Sequence, residues 1–184
     1  ATLNGFVASV EKVHTDHANG FTNSSLDESA TNGFYREMYS AVNSLVIHHV
    51  ESTNSILDLL KDYANGDLSK KCKRFPGDQR VIHETLDTLR GTIALLNQEV
   101  GKIIVATAEG KLDVRAKADA FQGEFRDLVI GINNTIDNVI RPLNVAAEYI
   151  DRVAKGDIPE EISEVYQGDF NEIKNNINQL IKTI

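Results

Sequence analysis

At 184 residues with 41% apolar side chains, the chain has room for one or two ordinary domains and enough apolar content for a core, so composition excludes wholesale disorder. That core is lean and aliphatic, with no Trp, one Met and 7% aromatics, which suits helical seams. A formal charge of −8 argues against nucleic acid or an anionic membrane surface as a partner, since those need clustered Lys and Arg, so no direct membrane contact is expected of this segment, and no apolar run approaches the ~20 residues of a membrane span.

The first expected element is a helix already under way at Ala1, with Val10 and Val13 on its apolar face and "ANG" stopping it at Gly20. A connector follows, with Thr22 where an apolar residue is expected and Phe21 and Leu26 close by. Gly33 then opens a second helix bearing Met38 and Val42. The same succession returns three times. Ile56 and Leu59 precede Gly66, and the next connector carries Leu68, Cys72 and Phe75 before Gly77. Apolar residues then continue through Leu86, Leu89, Ile93, Leu96 and Val100, so the second helix of one repeat runs into the first helix of the next. Ile103 leads to Gly110, Leu112, Phe121 and Gly123; Ala146 and Tyr149 lead to Gly156, Ile158, Ile162, Tyr166 and Gly168. Pro142 either starts the last repeat's first helix or kinks a longer one.

The register is tight. First glycines are spaced by 46, 44 and 46 residues and second glycines by 44, 46 and 45. Five residues after the second glycine stand Met38, Ile82, Leu128 and Ile173; nine after it stand Val42, Leu86, Ile132 and Ile177. At plus ten come Asn43, Asp87, Asn133 and Asn178, read here as a polar face beside the apolar stripe. Acids directly after the second glycine, Asp78, Glu124 and Asp169, and again three residues further on, Glu37, Asp127 and Glu172, are read as complementing the positive end of the second helix, with Val81 as the departure in repeat 2. The repeats are assigned to residues 1–50, 51–96, 97–140 and 141–184.

Connector length decides the topology. An antiparallel hairpin needs only about 2 to 8 linking residues. A helix of about 16 residues is about 24 Å long, whereas eleven to thirteen extended residues reach roughly 36 to 43 Å. The connector can therefore return along the whole helix and start a second one pointing the same way. Two such helices cannot bury both apolar stripes alone, so a homodimer is expected to close each layer as a parallel four-helix bundle, with layers stacked end to end in a rod. Cys72 is read as a small buried hydrophobe, and the run Lys70, Lys71, Lys73 and Arg74 as a solvated loop.

The stretch "RPLNVAAEYIDRVAKGDIPEEISEVYQGDFNEIKNNINQLI" resembles a complete HAMP domain, and "YANGDLSKKCKRFPGDQRVIHETLDTLR" and "AEGKLDVRAKADAFQGEFRDLVIGINNTID" resemble concatenated HAMP units of soluble receptors. "HANGFTNSSLDESATNGFYREMYSAVNSL" is the most divergent copy. The resemblance implies an all-α, cytoplasmic, non-catalytic signal relay without cofactors, in a bacterial chemoreceptor or methyl-accepting chemotaxis protein, partnered by adjacent sensor and output domains. It also implies near-degenerate helix packings biased from one end. The relay residues would be Gly20, Gly66, Gly110, Gly156, Leu68, Leu112, Ile158, Ile162, Glu37, Asp127, Glu172 and Pro142. On this reading the chain is a piece of a longer protein.

Three alternatives compete. The same relay could serve a sensor histidine kinase, with His83 in "RVIHETLDTL" as a superficial phosphoacceptor match inside a repeat's second helix. An α-solenoid scaffold also repeats at about 40 to 47 residues, but predicts antiparallel helices and short turns. Metal or haem binding by His14, His17, His48 and His49 lacks a completing Cys or carboxylate cluster. Catalysis is the poorest fit, for want of a phosphate loop or nucleophile elbow.

Overall fold

The computed structural model describes residues 2–184; Ala1, the expected start of the first helix, lies outside them. Among the described residues there are five α-helices and no strand: α1 (Leu3–Ala18), α2 (Gly33–Ala64), α3 (Arg80–Ala108), α4 (Gly123–Ala154) and α5 (Gly168–Thr183). The chain divides into two compact halves between Arg90 and Gly91. Three helices carry the second helix of one repeat and the first helix of the next without interruption. Pro142 lies inside α4, so it does not start a helix. Without an N–H it leaves one intrahelical bond unmade, and its buried ring packs in compensation.

Each repeat has its own small apolar centre. In the first half these are Val13, Leu26 and Tyr39, then Leu59, Tyr63, Cys72, Phe75 and Leu86. In the second they are Ile103, Ala116, Phe121 and Val129, then Ala146, Ile162, Ile177 and Ile181. Every cluster draws on both helices and on the connector between them, so none forms until the connector is in place.

The contacts fix helix direction. Early connector residues meet the late turns of both helices, and late connector residues meet the early turns. In the last repeat Asp157 pairs with Arg152 at 2.7 Å and Glu161 with Lys182 at 2.9 Å, near the two C-terminal ends. Further along, Glu164 pairs with Arg141 at 2.6 Å, and Pro142 and Phe170 line one small cavity. In repeat 2 the Leu68 carbonyl accepts from Arg90 at 3.3 Å, whereas the Phe75 N–H donates to His83 Nδ1 at 3.1 Å. A connector antiparallel to both helices makes the helices parallel to each other, which removes the solenoid alternative.

The connectors are not strand-like throughout. In repeats 1 and 3 twelve residues lie between the glycines, against ten and eleven in repeats 2 and 4. The two longer connectors each coil into a single 3-10 turn, Glu28–Ala30 and Ala118–Ala120. A 3-10 turn advances only about 2.0 Å per residue, so it absorbs the extra length over a fixed span.

Candidate functional site

The four connectors and their docking points form the candidate site. Each begins where a helix stops on glycine. Gly20, Gly66, Gly110 and Gly156 have φ of 89°, 85°, 74° and 80°, in the left-handed region. Around Gly66 the N–H of Asp67 donates to the Asp62 carbonyl at 2.9 Å and that of Gly66 to Tyr63 at 3.0 Å. The same pair of bonds recurs at the other three glycines. This is the six-to-one and five-to-two pattern that satisfies the last helical carbonyls and turns the chain back.

Six residues past three of these four glycines the connector is pinned to the second helix, and here the expected polar face is corrected. Asn43 is buried and points inward. Its Oδ1 accepts from the Leu26 N–H at 2.8 Å and its Nδ2 donates to the Leu26 carbonyl at 2.9 Å. Asn133 grips Ala116 in the same two-point manner at 3.0 and 2.9 Å. Asn178 does so to Ile162 at 2.7 and 3.1 Å. A carboxamide is the side chain that can donate and accept at once toward one extended residue. The backbone groups so paired lie beside buried apolar residues, where leaving them unpaired would be costly. The signal was present in the sequence as Asn, rather than any polar residue, at three of the four plus-ten positions.

Repeat 2 departs. Asp87 occupies the position, its Oδ2 pairs with Arg74 at 2.9 Å, and its buried Oδ1 has no hydrogen-bond partner among the described residues. The connector is held instead by Arg90, His83 and Tyr63, the last donating from its hydroxyl to the Lys70 carbonyl at 3.1 Å. His83 is buried and accepts through Nδ1, which ties up the ring that a phosphoacceptor would present. Cys72 is a buried free thiol whose pKa is pushed up by burial and by the nearby Asp87 carboxylate.

Repeat 3 adds a buried carboxylate. Glu99 is 3% exposed, pairs with Lys102 and accepts from the Lys117 N–H at 3.0 Å. These contacts, the Lys102 ammonium first, hold its pKa below the usual carboxylate range.

The other anticipated residues are placed unevenly. Ile162 is buried in the last cluster and Leu68 packs against the second. Leu112 is 37% and Ile158 is 53% exposed, while the neighbouring Pro159 is buried. Glu37, Asp127 and Glu172 are exposed and sit one turn inside their helices; the first-turn acids are Glu124 and Asp169. His17 bonds the Ser24 carbonyl at 2.9 Å, and His48 and His49 are exposed on α2.

Residues 120–184 match the family model of the HAMP domain, and residues 53–94 match that of HAMP N-terminal domain 3. The chain carries HAMP domains. HAMP domains are signal-relay modules, and the matched stretches include the connectors of repeats 2 and 4. Among curated proteins, the methyl-accepting chemotaxis protein McpB of Pseudomonas aeruginosa is 28% identical over 87 residues, covering 47% of this chain. The chain spans 13% of that protein's length. No helix among the described residues is long and apolar enough to cross a membrane.

Proposed function

We propose that these HAMP repeats form a cytoplasmic relay within a chemoreceptor, passing conformational change between a sensor and an output module by repacking parallel helices in a homodimer. The carrying observation is the one-sidedness of each repeat. A connector covers one flank of a parallel helix pair, and large apolar side chains remain uncovered on the others. On α4, Leu143 and Ile150 are seven residues apart and 42% and 53% exposed; Leu180 on α5 is 42% exposed. A second copy that adds two more helices would remove these from water at about 25 cal/mol per Å². The kinship with a methyl-accepting chemotaxis protein supports the chemoreceptor setting.

On this reading each relay residue has a physical role. The glycine exits let each connector return along its helices. Leu68, Leu112, Ile158 and Ile162 are the wedges whose seating differs between packings, Glu37, Asp127 and Glu172 bias the second helices, and Pro142 softens α4 between the last two repeats. Light scattering should report twice the chain mass of 20.3 kDa. Cysteines introduced at Leu143 or Ile150 in a Cys72→Ala background should cross-link between copies, in a pattern that changes when the adjoining sensor is stimulated. A pattern indifferent to the stimulus overturns the relay.

A further inference from the structure

We infer that repeat 2 is the releasable layer of the relay: Asp87, standing where the other repeats have a clamping Asn, leaves its connector free to undock from the second helix while the other three stay pinned. The inference refines the relay reading, but it concerns docking itself and can be tested without any signalling output.

An ionised carboxylate accepts hydrogen bonds and donates none. Asp87 therefore cannot reproduce the two-point grip that Asn43, Asn133 and Asn178 exert. It can offer nothing to the Cys72 carbonyl, and in the structure it turns toward Arg74 instead. That ion pair is a weak substitute, because the Arg74 side chain is 68% exposed and such pairs are readily replaced by water. The remaining ties of this connector run through long or ionisable side chains, Arg90 to Leu68, Tyr63 to Lys70 and His83 to Phe75. The geometry at Cys72 is otherwise that of the other repeats. Cys72 is six residues past Gly66, buried, and packed with Leu59, Phe75 and Leu86. At this register position the clamp is what differs.

Cys72 is the chain's single thiol, so it reports on this step directly. In the intact 184-residue chain, Asp87→Asn should install the missing clamp. Labelling of Cys72 by a small maleimide should slow by about tenfold, and hydrogen exchange of the Cys72 N–H should slow to match, as expected for two net hydrogen bonds gained. Arg74→Ala should change labelling by less than about threefold. The reciprocal change, Asn133→Asp, should speed exchange of the Ala116 N–H in repeat 3 by a similar factor. If Asp87 were merely structural, Asp87→Asn would leave labelling unchanged or speed it through loss of the ion pair, and either result overturns the inference. So does unchanged exchange at Ala116 in Asn133→Asp. Loss of intersubunit cross-linking with the labelling result intact would sink the dimeric relay and leave the releasable connector standing.

Discussion

Repeats 2 and 3 follow one another in sequence, leave their first helices on glycines of matching geometry and bury a connector residue at the same register position, Cys72 in one and Ala116 in the other. Their connectors are nevertheless held by different chemistry. Repeat 3 uses a neutral carboxamide on both backbone groups of Ala116 and a buried carboxylate on the Lys117 N–H. Repeat 2 uses a half-exposed ion pair, single bonds donated by Arg90 and Tyr63, and one accepted by His83. Register thus decides where a connector lands, while the donor and acceptor inventory of one side chain decides how firmly it is held.

The contrast is sharpest if Asn133 is removed. Asn133→Ala strands the N–H and carbonyl of Ala116 and should cost about 2 kcal/mol or more in chemical denaturation. Asp87→Ala should cost under about 1 kcal/mol, since it deletes a pair whose arginine is largely in water. Equal costs would erase the distinction between the two layers. The glycine exits should respond alike. Gly66→Ala and Gly110→Ala each place a Cβ in open space but at positive φ, so about 1 kcal/mol is expected from backbone strain in both repeats, measured by thermal melting. A marked asymmetry would show that the exits, and not only the clamps, differ.

A third test uses acid. Glu99 has a folded pKa below its unfolded value, so its contribution is fully present above the ordinary carboxylate pKa and is lost as pH falls through the depressed folded value. Denaturation midpoints followed from neutral pH into that acidic window should fall for the wild type, and Glu99→Gln should flatten the part that belongs to repeat 3. The smallest effect is expected from Arg74→Ala, under about 0.5 kcal/mol and diminished further by added salt.

Much of this was legible without coordinates. Parallel helices followed from connector length against helix length, and the glycine exits from glycines recurring at a fixed period, strengthened by Asn-Gly in the first two repeats. The burial of Cys72 followed from its register beside apolar neighbours. The clamps were missed because Asn at plus ten looks, on a helical wheel, like the edge of a solvated face. Only the neighbouring backbone reveals an inward role. The wedge residues show a related limit, since Ile158 and Pro159 are both apolar and adjacent, and in one chain it is the proline that seats.

The sequence alone determined what is local or periodic: where each helix must stop, how far the intervening chain can reach, and which residues recur on one face. Those features depend on backbone freedom at glycine and on repeat length, which are readable one residue at a time. Tertiary structure decided what depends on a partner across space: the inward turn of Asn43, Asn133 and Asn178, the diversion of Asp87 to Arg74, and the continuation of α4 through Pro142. A hydrogen bond needs both of its ends in place, and the second end lies about sixteen residues away along the chain.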